Sequence, residues 1–313
     1  MTLSGLLPFL LAILLGAALS ALLTWVLAAR RMPASHRVAI LGFPQSGKTT
    51  LITAVFDFLF RYGAQGGSIV PRGDDTIRRL NDNLRCLELK RPVRPTTDQD
   101  LFAYRAEVET RPGFFQRRYK LEIGDFPGED TVAFAEQYGE WLHDTPYFQW
   151  AMAADAFVLV VDVSSILLDP SGEQVAREKS AFRAAWQRLR EHHLDGKSNL
   201  SEKPLLLVFT KSDLLLMPQS SPDLIRDFAS GTKFPDEVFL RPEDFDEKTD
   251  HIKQRFADLI AYFERESTQF KVLFLSAFVV VHGERLGIPE LSRNILPRPA
   301  FLQLRRVMTR ESH

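Results

Sequence analysis

Cysteine is almost missing: Cys86 is the single one in 313 residues. One thiol closes no internal disulfide, and it leaves no material for a cysteine-rich zinc cluster or a CxxC redox pair. Net charge is almost missing too, with 39 Lys and Arg against 40 Asp and Glu. No global basic field exists to attract nucleic acid, which is excluded as a default partner. No internal repeat is present, and no low-complexity tract outside an apolar N-terminal run. Within that run, Thr2 to Ala29, there is no Asp, Glu, Lys, Arg or His, so every charged side chain lies beyond it.

Leu and Ala dominate Gly5–Ala28. As a helix this stretch rises about 36 Å against a hydrocarbon core of about 30 Å, so one transmembrane helix over 5–28 is expected, with the lipid bilayer as a partner. Trp25 near its end suits an interfacial aromatic, and Arg30 and Arg31 directly after it suit a cytosolic flank. The resulting placement is single-pass, with the N-terminus outside and the rest cytosolic, at a bacterial inner membrane or the endoplasmic reticulum. A cleaved signal peptide competes through the small residues around Ala18 to Ala21, but it calls for a basic start and a shorter apolar core. Residues 29–36, with Pro33, then form a juxtamembrane linker that spans at most about 25 Å.

From Arg37 to His313 strand-like and helix-like segments alternate. Val38–Leu41 is an apolar run that ends on glycine. In Lys48–Phe60 the residues Leu51, Ile52, Val55, Phe56, Leu59 and Phe60 recur at helical spacing. Leu101–Glu109 and Tyr119–Ile123 read as a strand hairpin, while Phe157–Val163, Leu205–Phe209 and Val272–Leu275 read as strands buried on both faces. Helical patterns cover Glu173–Glu191, Asp250–Phe263 and, opened by Pro299, a last segment through Met308. Between residues 64 and 96, Ile77, Leu80, Leu84 and Leu87 alternate at steps of three and four, which predicts an added amphipathic helix. The sum is a doubly wound α/β sheet.

The strongest motif is Gly42-Phe43-Pro44-Gln45-Ser46-Gly47-Lys48-Thr49, a GxxxxGK[ST] string between a strand and a helix. A loop of this spacing wraps backbone N–H groups around an anion at a helix N-terminus, with glycine where a Cβ would collide. Lys48 supplies charge to β- and γ-phosphates, and Thr49 a hydroxyl to Mg²⁺. Three further strings follow at strand ends. Asp125-Phe126-Pro127-Gly128 is a DxxG whose carboxylate suits Mg²⁺ and whose glycine N–H suits a γ-phosphate. Thr210-Lys211-Ser212-Asp213 is a TKxD: guanine offers a ring N–H and an exocyclic amine side by side, which one carboxylate accepts together, and adenine lacks that pair. Ser276-Ala277 offers a backbone N–H to guanine O6.

With these four strings in order, the chain resembles the Ras-like, translation-factor-related class of P-loop GTPases over Arg37 to His313. The layout, an apolar N-terminal helix closely followed by such a domain, is similar to the β-subunit of the signal-recognition-particle receptor and to membrane-linked GTPases of bacterial operons. The resemblance implies a mostly parallel six-stranded sheet preceded by the transmembrane helix, GTP/GDP and Mg²⁺ as cofactors, and a switch cycle that recruits or regulates a protein effector. It implies nucleotide contacts from Gly42, Gln45, Ser46, Gly47, Lys48, Thr49, Thr50, Gly128, Thr210, Lys211, Asp213, Ser276 and Ala277. For the metal it implies Thr49, Asp125 and a switch threonine, for which Thr97 is chosen over the neighbouring Thr96. Beside Lys48 and Thr97, the reacting phosphate would meet Glu129, where the class carries a water-orienting glutamine, while Arg94, three residues before Thr97, reads either as part of a solvated face or as an arginine finger at the phosphate. The aromatics after it, Phe134, Tyr138, Trp141, Tyr147, Phe148 and Trp150, read chiefly as core beneath a second switch, or else as a partner surface. His192-His193 reads as a solvated helix end. Three functions follow: a GTPase switch; a subunit locked on GTP with negligible hydrolysis, which Glu129 favours; and, against the TKSD string, an ATPase.

Overall fold

The computed structural model describes residues 13–20, 22–23, 35–64, 67–93, 102–110, 117–125, 146–194, 200–217, 222–229, 244–281 and 283–297. Ser35–Leu296 form one compact unit. The elements run β1 (Ser35–Gly42), α1 (Lys48–Tyr62), β2 (Ser68–Pro71), α2 (Asp74–Glu88), β3 (Phe102–Thr110), β4 (Arg117–Asp125), α3 (Pro146–Met152), β5 (Ala156–Asp162), α4 (Val163–Leu168), α5 (Glu173–Leu194), β6 (Leu205–Thr210), α6 (Pro222–Ala229), α7 (Phe245–Arg255), α8 (Ala257–Glu266), β7 (Phe270–Phe274), β8 (Val280–Val281), β9 (Glu284–Arg285) and α9 (Ile288–Ile295).

Seven strands make the main sheet, in the order β2-β3-β4-β1-β5-β6-β7. β4, β1, β5, β6 and β7 run parallel, and β3 and β2 add on antiparallel. The expected six strands are thus corrected to seven. The extra one is β2, four residues of the spacer paired with β3 from Ser68↔Glu109 to Pro71↔Ala106. Pro71, which has no N–H to give, sits on that edge strand, where the loss of a ladder donor is tolerated. β5 and β6 are buried at every position and carry apolar runs because helices cover both faces. Between them and the helices, Trp186 meets Phe157 and Phe263 edge-on, and Phe209 stacks on Phe274 at 4.7 Å.

The added helix α2 is present, turned slightly from its expected face: Thr76, Leu80, Asn83 and Leu87 are buried while Ile77 is exposed. The pattern over Asp250–Phe263 resolves into two helices, α7 and α8, which break at Phe256. The segment from Pro299 lies outside the described residues.

The expected transmembrane helix over 5–28 is corrected as well. Among the described residues no helix is long and apolar enough to cross a membrane. The described helical stretch 13–20 lies within the apolar run. It does carry exposed Ile13, Leu14, Leu15 and Leu19. Among the described residues the apolar composition is thus not matched by a helix of spanning length, and the single-pass localisation, which rested on that helix, is not supported.

One buried acid has a measurable consequence. Glu178 on α5 accepts from Gln174 Nε2 at 3.1 Å, lies 3.5 Å from Ser165 Oγ, and its buried Oε2 has no partner among the described residues. Burial, aided by the nearby charges of Asp162 and Asp169 and opposed by those hydrogen bonds, pushes its pKa up to about 8. The folded state therefore holds a proton that the unfolded state has already lost between the ordinary carboxylate range and about pH 8. Stability falls as pH rises through that window. Glu178→Gln, which needs no proton, should flatten the slope and stabilise the fold near pH 8 by on the order of 3 kcal/mol. Urea titrations of both proteins at pH 5 and pH 8 read this; an equal gap at the two pH values would contradict it.

Candidate nucleotide site

The C-terminal ends of β1, β4, β5 and β6 share one edge of the sheet because those strands are parallel. All the loops that carry the sequence motifs start there, the usual location of ligand sites in open α/β sheets.

The first loop leaves β1 at Gly42. A Cβ there would lie 2.7 Å from the Val160 carbonyl on neighbouring β5, so only glycine lets the strand end this close to its partner. Gln45 and Gly47 both take positive φ, 60° and 84°, and Gly47 caps α1. Left-handed residues within a turn direct successive N–H groups to one side, the concavity that receives an anion. No acidic residue stands in the first turn of α1 to compete. The Lys48 ammonium is buried and donates to the carbonyls of Gly42 at 2.8 Å and Phe43 at 2.9 Å, which hold it across the loop. Ser46 is buried, and its hydroxyl has no partner among the described residues. Thr50 is half-buried one turn position further on.

Thr49 and Asp125, 76 residues apart, meet: Thr49 Oγ1 donates to Asp125 Oδ2 at 2.8 Å. Asp125 is the last residue of β4 and is buried. A hydroxyl and a carboxylate on one spot are the hard oxygen donors that suit Mg²⁺, so the residues present fit that ion. Phe102 of β3 is the cross-strand neighbour of Asp125, and the Arg79 guanidinium of the added helix lies 4.0 Å over its ring. This cation beside the acidic end of β4 went unnoticed in the sequence, because only the fold brings α2 over β3.

Thr210 ends β6, and Lys211 and Asp213 follow it. Thr210 Oγ1 donates to the Ser46 carbonyl at 2.7 Å, with the Val161 carbonyl at 3.1 Å. This bond ties the TKSD loop to the phosphate-type loop. Lys211 adopts φ 55° and its ammonium lies 2.7 Å from Asp162 Oδ2. Asp213 sits buried in a 3-10 turn, Ser212–Leu216. Burial raises its pKa, opposed by a hydrogen bond from Ser276, by its own backbone N–H and by the Lys211 charge, while the Asp162 charge adds to the rise. Ser276 is buried, and its backbone N–H donates to the Leu286 carbonyl at 3.1 Å. Of the Ser276-Ala277 pair, Ala277 is therefore the one placed to offer an N–H. Asp162 is a second residue that the sequence did not single out; the signal would have been an acid that ends an otherwise apolar strand.

Thr96, Thr97, Arg94, Gly128 and Glu129 lie outside the described residues, as do Phe134, Tyr138 and Trp141. Trp150 packs partly buried against the core.

A family model described as Double-GTPase 2 matches residues 36–261. The chain belongs to that family. The match of this double-GTPase 2 chain takes in the Gly42–Thr49 loop, Asp125 and the TKSD loop, and stops before Ser276. No curated protein matches the chain. Among solved structures, the crystal structure of sup35 complexed with GDP is similar at 13% identity, with a TM-score of 0.34. That likeness covers 79% of this chain and 38% of that one, so this chain spans well under half of its length.

Proposed function

We propose that this double-GTPase 2 chain binds a guanine nucleotide with Mg²⁺ and hydrolyses GTP as a switch that governs a protein partner. Thr210 is the observation that carries the reading. Its hydroxyl ties the loop that bears the buried Asp213 carboxylate to the glycine loop that bears the buried Lys48 ammonium, so one ligand with a phosphate tail and a donor-bearing base suits both ends.

In this reading Gly42, Gln45, Ser46, Gly47 and Thr50 shape the cradle, and Lys48 exchanges its carbonyl partners for phosphate oxygens. Thr49 and Asp125 hold Mg²⁺, which when bound neutralises charge on the phosphates. Asp213 accepts the paired guanine donors, the Lys211 stem covers the base, and Ala277 donates to O6. Thr97 and Gly128 sense the γ-phosphate, and Arg94 and Glu129 flank the reaction. Loose phosphoryl transfer needs little general base, so the charge of Glu129 opposes hydrolysis more than it helps.

Equilibrium competition between GTP and ATP, with Mg²⁺ and with chelator, tests the binding. GTP should win, and chelator should weaken it. ATP preferred over GTP would sink the reading. Partner-free single-turnover hydrolysis should be slow in the wild type and faster in Glu129→Gln. A fast wild-type rate that collapses in Glu129→Gln would instead make Glu129 a working catalytic group.

A further inference from the structure

Lys211 stands between two carboxylates. Asp213, two residues on, is the group assigned above to the base, and Asp162 ends the neighbouring strand, in register with Thr210. The ammonium goes to Asp162: Nζ lies 2.7 Å from Oδ2, with Ser164 Oγ at 3.5 Å. Both side chains of this pair are mostly sheltered from solvent, where a charge-assisted bond is stronger than at a surface.

Asp162 is itself clamped. Its Oδ1 accepts from the Ser164 backbone N–H at 2.8 Å and from Ser164 Oγ at 2.6 Å, and so caps α4. One oxygen holds the helix, and the other is left at a fixed point for the lysine. Lys211 itself takes a left-handed backbone, φ 55°, unusual for a residue with a Cβ. The Lys211 charge also acts on Asp213, so a second carboxylate competes for that ammonium. A lysine paired with Asp213 would neutralise and cover the acceptor meant for the base.

We propose that Asp162 is a positioning residue for base recognition: by holding the Lys211 ammonium it keeps that cation off Asp213 and keeps the lysine stem stretched along the base side of the site. The inference rests on the guanine reading above and names the residue that protects its specificity.

Asp162→Asn is the test, because the amide oxygen still accepts from Ser164 and caps α4, while the amide N–H₂ cannot accept from an ammonium. Affinities for GTP and ITP are measured together, since inosine lacks the exocyclic amine that Asp213 would bind. Asp162→Asn should weaken GTP about tenfold and shrink the GTP-over-ITP preference by a similar factor. In a Lys211→Met background, with no cation left to misplace, the same change should be silent. A purely structural Asp162 would lower GTP and ITP alike, or would act equally in the Lys211→Met background, and either result overturns the proposal. A wild-type chain without preference for GTP over ATP overturns the guanine reading and this inference together. A wild-type preference kept in full by Asp162→Asn overturns the positioning role alone.

Discussion

Under the proposed function, Asp213→Asn should shift the preferred base from guanine to xanthine. The carboxylate is buried at the end of β6, and Ser276 and Lys211 oppose the effect of that burial by favouring its charged form. An ionised acid accepts two donors at once; the amide has one oxygen to accept and an N–H₂ that faces the guanine amine unfavourably. Xanthine replaces that amine by a carbonyl, which the Asn N–H₂ can bind. Loss of the charged two-point contact should cost GTP about 2 to 4 kcal/mol, equivalent to roughly 30- to 1000-fold in affinity. XTP should gain in the same titration. An Asp213→Asn protein whose GTP affinity stays within threefold of wild type would place the base elsewhere.

Lys48→Ala should all but abolish binding of any nucleoside triphosphate. Its ammonium is the buried cation of the loop, anchored on the Gly42 and Phe43 carbonyls. Deleting it removes the charge that answers the phosphates, and it also leaves two carbonyls facing the same anion. Both effects have the same sign, so a loss of at least a hundredfold is expected for GTP and for ATP alike. The Asp213 change should discriminate between bases and this one should not. The two titrations together separate the phosphate end from the base end. Retention of GTP affinity by Lys48→Ala, with an unchanged melting temperature, would remove the loop from the site.

Much of this arrangement could be read in the sequence, where short-range chemistry dictated it. The glycine loop was legible because its spacing is itself a backbone conformation, which recurs here as positive φ at Gln45 and Gly47. β5 and β6 were legible because strands covered on both faces have nothing polar to show. The β3–β4 hairpin also emerged, with β3 one residue further at its C-terminal end and β4 two residues further at each end than the apolar pattern. β2 was missed because four residues are too few for an alternation, and its existence depends on an edge supplied by β3. The break at Phe256 was missed because the apolar spacing continues unchanged through it; only the local backbone turns, at φ −106°. Asp162 and Arg79 were missed for a third reason: their partners, Lys211 and Phe102, are 49 and 23 residues distant, and nothing local marks the pairing. The apolar N-terminal run taught the reverse lesson, since hydropathy alone predicted a spanning helix that the described residues do not contain.

The Thr210 hydroxyl, bonded to Ser46 on one side and shared with Val161 on the other, works as a spacer of fixed length. Under the proposed function, the base seat and the phosphate seat cannot drift apart independently, because one short side chain spans the gap between their loops. A ligand that fills one seat then sets the position of the other before anything occupies it. Guanosine alone and triphosphate alone should each bind far more weakly than GTP, and each should strengthen the binding of the other. Thr210→Val, equal in shape but unable to donate, should uncouple them: the fragments keep their separate affinities while the advantage of joining them in one molecule shrinks.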